Sequence, residues 1–253
     1  MLRHLKYSIP VRYPRDRTRL RLKRAIYSAC IIGYTTPMKY DIRKFITGPF
    51  WVNTWAVCKE ERSITIIDPG GTTDELMNYL SEKRTEHITI ILTHGHFDHI
   101  AGVPALISHY PSYQLLIHAA DLKYIGHTMK EHHLKSFTPL RAQSLIETFN
   151  AVMPEATETL TEDKKVDDFL VLHTPGHTNG SVSLWDPDEK ILFSGDTLFY
   201  HSRGRTDLLD GDETTIQQSL KKLFTLVPDE TNVYTGHGTN TSIGAEKAYQ
   251  LYY

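Results

Sequence analysis

From Met38 onward, short apolar runs alternate with longer segments in which apolar residues recur every three or four positions. Phe45-Ile46 and Trp51 to Val57 flank a Gly48-Pro49 turn, and Ile64 to Ile67 ends at Asp68-Pro69-Gly70-Gly71, which predicts a meander of strands. Thr73 to Lys83 reads as a helix with Thr73 or Asp74 as its N-cap and Leu76, Met77 and Leu80 on the buried face. Ile88 to Leu92 is continuously apolar, the mark of a strand covered on both faces. A helix over Ala101 to His109 and a strand over Leu115 to His118 complete a first half.

Residues 121–165 are polar and mixed, without a clean strand, and predict helices and a loop over one edge. Strand grammar returns in Phe169 to Thr174, Ser181 to Trp185 and Ile191 to Ser194. A helix over Glu213 to Leu226 places Ile216, Leu220, Leu223 and Phe224 on one face. Asn232 to Thr235 makes a last strand and Ser242 to Leu251 a closing helix. Strands followed by helices in both halves predict two packed sheets with helices outside.

Composition changes this picture at one end only. Hydrophobic and charged fractions of 40% and 23% are those of an ordinary globular chain, and the apolar runs fall far short of the roughly 20 residues that cross a bilayer. Two cysteines, Cys30 and Cys58, fit a reducing compartment and favour the cytoplasm. Residues 1–37, however, carry nine Lys or Arg against the single acid Asp16, so a net charge of -2 hides +8 there and -10 in the rest. Three readings compete for this stretch: a disordered or non-native extension ahead of a start at Met38, an Arg-rich organelle-targeting peptide, or a nucleic-acid or membrane contact. The first is preferred, because Met38-Lys39-Tyr40 opens directly into strand pattern and leaves residues 38–253 as one domain.

Candidate chemistry is concentrated at strand exits. Thr93-His94-Gly95-His96-Phe97-Asp98-His99 follows the Ile88–Leu92 run and puts three imidazoles and a carboxylate within six residues. His94 and His96 are two apart, so an extended backbone aims both to one side; Asp98 and His99 come from the next bend and can serve a second ion. His177 follows Pro175-Gly176, Asp196 follows Ser194-Gly195, and His237 stands between Gly236 and Gly238, each just past a strand. Strand ends on one sheet edge converge, so these residues can share a centre. Imidazole and carboxylate together suit zinc, iron or manganese. Asp68 either orients a ligand imidazole or serves only its own Asp-Pro-Gly turn. His87, His109, His118, His127, His132, His133 and His173 lack a glycine-framed strand exit and are expected to pack or to face solvent, while Arg205 and Asp207 are expected to pair.

Between Met38 and Gly244 these motifs, with Gly48-Pro49-Phe50, Asn53-Thr54, Asp68-Pro69-Gly70-Gly71 and Gly204-Arg205-Thr206-Asp207, resemble the metallo-β-lactamase superfamily and, within it, the short hydroxyacylglutathione hydrolase-like (glyoxalase II-like) proteins. The resemblance implies an α/β fold, a four-layer αβ/βα sandwich of two mixed β-sheets. It implies two divalent ions, zinc first with iron or manganese as alternatives: one on His94, His96 and His177, the other on Asp98, His99 and His237, with Asp196 bridging. It further implies a hydrolase in which a hydroxide shared by the ions attacks a small-molecule thioester such as S-lactoylglutathione, with Asp98 as the catalytic carboxylate. The alternatives within the family are a mononuclear-iron persulfide dioxygenase and a lactone, phosphodiester or RNA hydrolase. A β-lactamase is disfavoured because Asp196 stands where many of those enzymes use cysteine.

An acidic body argues against a nucleic-acid partner, nothing points to a membrane, and the oligomeric state stays open. Only fifteen residues follow Gly238, so the C-terminal helical domain with which larger relatives bind glutathione is not expected, and Lys130, Lys135, Arg141 and Arg203 are candidate replacements. The Tyr252-Tyr253 ending departs from the Asn-Pro-Phe-like segment of short relatives.

Overall fold

The computed structural model describes residues 39–250; the basic stretch 1–37, Cys30 and the last residue of the expected closing helix, Leu251, lie outside them. The first sheet runs in the order β1 (Asp41–Thr47), β2 (Val52–Glu60), β3 (Ser63–Ile67), β4 (His87–Ile91), β5 (Tyr113–His118) and β6 (Glu158–Leu160). Its first three strands pair antiparallel, and β3 to β6 pair parallel. The second half contributes β7 (Lys165–Val166), β8 (Phe169–His173), β9 (Val182–Asp186), β10 (Ile191–Gly195), the small hairpin β11 (Leu198–Phe199) and β12 (Ser202–Arg203), then β13 (Asn232–Thr235) and β14 (Thr241–Ser242). Its six-stranded sheet has the order β14-β13-β10-β9-β8-β7, with β10 and β13 parallel.

Seven helices cover these sheets: α1 (Asp74–Glu82), α2 (Phe97–Ile100), α3 (Val103–His109), α4 (Met129–Phe137), α5 (Gln143–Thr148), α6 (Glu213–Leu226) and α7 (Ile243–Gln250), counted among the described residues. Side-chain alternation separates the layers. In β3 and β4, Ile64, Ile66, Ile88 and Ile90 face Leu76, Leu80, Val103 and Leu106 of the helices, whereas Ile67 and Ile91 turn inward to meet Phe169, Leu184 and Phe193 of the second sheet. On the far side Leu220 and Leu223 of α6 and Ile243 of α7 pack on Leu172, Leu192 and Val233. Two mixed sheets thus lie between two helical layers, as the resemblance implied. None of the described helices is long and apolar enough to cross a membrane.

Three local expectations are revised. Thr73 is the N-cap of α1, its hydroxyl accepting from the Leu76 amide at 3.2 Å, and Tyr79 rather than Met77 completes the fully buried face. The helix expected from Ala101 starts at Val103, preceded by the separate turn α2, which lifts Asp98 and His99 out of line with it. The polar stretch 121–165 holds helices, as expected, but also β6, parallel to β5 and burying only Leu160. Three residues cannot show an alternation, so an edge strand of this kind leaves no periodic signal.

His133 of α4 is fully buried, its Nε2 donating to the Tyr124 carbonyl at 2.8 Å. Burial pushes its pKa down to about 4. The unfolded chain binds this proton near pH 6.5 and the native state does not until about pH 4, so stability is lost as the pH falls through that window, by about 3 kcal/mol at its end. His133→Leu is expected to abolish that acid-linked loss. Urea unfolding of the metal-free protein and the variant at pH 7 and pH 4.5 measures it, and parallel pH dependence in the two would refute it.

Candidate metal centre

Parallel pairing aligns the exits of β3 and β4 on one sheet and of β10 and β13 on the other, and the two edges are spliced by backbone bonds. The Val182 amide donates to the Thr93 carbonyl (2.8 Å) and the Asn53 amide to the Gly236 carbonyl (2.8 Å), while within the second sheet the Gly236 amide donates to the Gly195 carbonyl (2.9 Å). Val52 forms an isolated antiparallel bridge with His237. All seven residues expected from the sequence meet at this edge: the ligand atoms of His94, His96 and His177 lie within 4.8 Å of one another, as do those of Asp98, His99 and His237. Asp196 stands between the groups, Oδ2 lying 3.6 Å from both His177 Nε2 and His237 Nε2, and Oδ1 3.4 Å from His99 Nε2.

The imidazoles are held from behind. His177 Nδ1 donates to the Arg205 carbonyl at 2.8 Å, which leaves a lone pair on Nε2, 2.8 Å from His96 Nδ1. Thr93 spends its hydroxyl proton on Asp68 Oδ2 (2.6 Å), so its oxygen accepts from His94 Nδ1 (3.2 Å) and His94 Nε2 is freed toward the centre. Asp68 also accepts the Thr93 amide (2.7 Å) and lies 3.1 Å from His99 Nδ1. Its side chain therefore serves the site rather than its own turn, resolving the two readings of this residue.

Asp121 went unnoticed in the sequence. It is fully buried and accepts from the Gly95 amide (2.8 Å), the Thr178 hydroxyl (2.7 Å) and the Gly180 amide (2.8 Å), tying the turn of His94 and His96 to the turn of His177. Burial pushes its pKa up, against the pull of these three donors. Nothing local marks an aspartate in a polar stretch as the partner of two remote turns; the only clue is that the glycines at 95 and 180 need an acceptor. Backbone space is equally tight: a Cβ on Gly236 would run into Asp196 Oδ1 and come within 3.0 Å of His99 Cε1, and one on Gly95 would meet the Tyr124 side chain at 2.5 Å.

Electrostatics divide the seven residues. Burial, reinforced by neighbouring imidazoles, holds His94 and His96 well below the usual histidine pKa, so both are neutral, as metal ligands must be. Burial also acts on His99, but Asp196, Asp98 and Asp68 outweigh it and raise its pKa well above the usual value; against burial, Asp98 and Asp196 also raise that of His237. Burial would raise Asp98 and Asp196, yet the facing histidines, His99 foremost, pull both carboxyls down. His94 Nε2 and Asp196 Oδ1 are buried without a hydrogen-bond partner. Buried polar atoms are normally satisfied, so an all-nitrogen-and-oxygen donor set with orphaned atoms facing inward fits divalent cations.

The other histidines stay outside these groups: His87 meets Ser112, His109 the Ala105 carbonyl, His127 Glu155, and His118 stacks on His173 at 4.1 Å. Arg205 pairs with Asp207 as expected, at 2.7 Å through two nitrogens. His201, five residues after Asp196, stacks on Tyr249 of α7 at 4.0 Å, and its amide donates to the buried Glu246 carboxylate at 2.9 Å, so the closing helix fixes the β11–β12 turn.

The sequence profile of the metallo-β-lactamase superfamily matches residues 47–237, from the end of β1 to the last histidine of the centre. The chain belongs to the metallo-β-lactamase superfamily. Within that superfamily it is 31% identical over 202 residues to the hydroxyacylglutathione hydrolase GloC of Haemophilus influenzae, covering 78% of this chain and 91% of that one. Among solved structures it is similar to the B3 metallo-β-lactamase BLEG-1 (TM-score 0.70, 31% identity, 82% of this chain and 97% of that one). It is also similar to TTHA1623 in a di-iron-bound form (TM-score 0.65, 31% identity, 81% and 96%). These matches place the metallo-β-lactamase fold on the two-sheet body and make this a member of a metal-binding hydrolase superfamily.

Proposed function

We propose that the protein is a thioester hydrolase that holds one divalent ion on His94, His96 and His177 and a second on Asp98, His99 and His237, with Asp196 reaching both. The observation that carries this reading is the position of Asp196, whose two oxygens lie within 3.6 Å of a histidine nitrogen of each group. Zinc and iron both suit the donors; the di-iron form of TTHA1623 supports iron as much as chemistry supports zinc. Such ions supply Lewis acidity and lower the pKa of water from 15.7 toward about 7.

The chain's own residues do the rest. Asp98, kept ionised by His99 and His237, lines the cleft and is the carboxylate that orients water and accepts its proton. Arg205 holds His177 through its carbonyl, and Asp68, through Thr93, holds His94. An open cleft of about 400 Å³ above them, walled by Phe50, Phe137 and Leu208, receives the acyl group. Likeness to GloC supports a thioester.

The test is metal analysis of protein from its native host, with turnover measured on acyl thioesters, a β-lactam and glutathione persulfide. Two metal equivalents per chain and thioester hydrolysis are expected. One iron per chain with oxygen consumption would replace this reading by the dioxygenase, and preference for the β-lactam would replace it by a β-lactamase activity like the one that gives BLEG-1 its name.

A further inference from the structure

The cleft over the centre has aromatic and aliphatic walls, formed by Phe50, Phe137, Leu140, Phe199 and Leu208. Among the described residues, two cationic side chains besides the histidines line it, Arg203 and Arg205, and each is paired with a carboxylate at a partly exposed position. Arg203 Nη2 lies 2.5 and 2.7 Å from the two carboxylate oxygens of Glu213, and its Nη1 donates to the Gly204 carbonyl at 3.2 Å. Arg205 Nε and Nη2 each lie 2.7 Å from an oxygen of Asp207. The other cations that the sequence offered for glutathione are engaged elsewhere or point away: Lys130 donates to the Glu147 carbonyl, Lys135 pairs with Glu131, and Arg141 is exposed outside the cleft lining.

A glutathione thioester carries two carboxylates. Bound here, they would lose water against phenyl rings without gaining a free guanidinium or ammonium, and an unpaired carboxylate is costly to bury. An acyl chain with an uncharged thiol has no such cost and gains from contact with Phe50, Phe137 and Leu208. We propose that the substrate is a thioester uncharged in both its acyl and its thiol part, and that Glu213 and Asp207 set this preference by occupying the two arginines. This rests on the thioester reading above and narrows it away from S-lactoylglutathione.

The test compares S-hexanoyl-N-acetylcysteamine with S-hexanoylglutathione and with the dimethyl ester of S-hexanoylglutathione on the metal-loaded full-length protein; the reacting bond and acyl chain are the same in all three, and the dimethyl ester keeps the bulk of glutathione without its carboxylates. The two substrates without carboxylates are expected to be favoured over S-hexanoylglutathione at least about tenfold in kcat/KM, chiefly through KM. Tryptophan-fluorescence titration with the non-hydrolysable S-hexyl thioethers of the two thiols is expected to give the same order. Glu213→Gln, which releases Arg203 from its carboxylate, is expected to move the ratio toward the glutathione ester by about threefold. Equal rates, a preference for the glutathione ester, a reversed binding order or an unmoved ratio in the variant would each overturn the proposal while leaving thioester hydrolysis standing. If none of the three is hydrolysed, the thioester reading falls and takes this inference with it.

Discussion

Asp196→Ala is expected to leave the protein folded but with about one bound metal equivalent per chain instead of two, and to cut turnover by more than about 100-fold, beyond the cost of losing an outer-sphere partner. The reason is geometric. Asp196 approaches nitrogens of both histidine groups, at 3.6 Å to His177 and His237 and 3.4 Å to His99. Two cations a few ångströms apart repel, and without a shared anion the second would be held against that repulsion by Asp98 alone. Asp196 follows β10 at the sheet edge and its side chain supports no hydrophobic cluster, so the fold does not depend on it. Elemental analysis together with turnover measures both effects; a variant retaining two equivalents would show that Asp196 does not join the groups.

Asp121→Ala is expected to be the most destabilising polar substitution near the site, by about 3 kcal/mol or more. It strands three buried donors at once, the Gly95 and Gly180 amides and the Thr178 hydroxyl, and each orphaned donor costs about 1–3 kcal/mol. Water entering the vacated space would recover part of this, which sets the lower end of the range. Because the same carboxylate joins the turn of His94 and His96 to that of His177, the variant is also expected to bind metal at that triad about 10- to 100-fold more weakly. The Asp98, His99 and His237 group, which Asp121 does not touch, should keep its affinity. Urea unfolding of the metal-free protein and metal titration separate the two effects; stability within about 0.5 kcal/mol of the parent would mean that the tie is idle.

Much of the architecture is legible in the sequence because its signals are local. The α6 range and β13 follow from apolar spacing alone, and Ile88 to Leu92 announces a covered strand by lacking polar interruptions. The elements that escape are those with too few residues to carry a period: β6, the α2 turn and the two-residue strands β7, β11, β12 and β14. Candidate ligands are legible for a related reason: a short histidine-rich segment and glycine-framed strand exits are properties of neighbouring residues. Lys130 and Lys135 show the opposite case, since a positive side chain in a polar segment says nothing about which carboxylate or carbonyl it will meet.

The sequence by itself determined the residue types of the centre, their placement at strand exits and the family to which the chain belongs. Only the tertiary structure decided that Asp68 reaches past its own turn to Thr93 and His99, that Asp121 ties two remote turns, and that Arg203 and Arg205 enter the cleft already paired. The physical reason is that strand exits are set by short-range backbone pattern, whereas charge compensation is set by partners brought together across crossovers. Parallel registers of β3 with β4 and of β10 with β13 fix those partners, and no spacing along the chain encodes them.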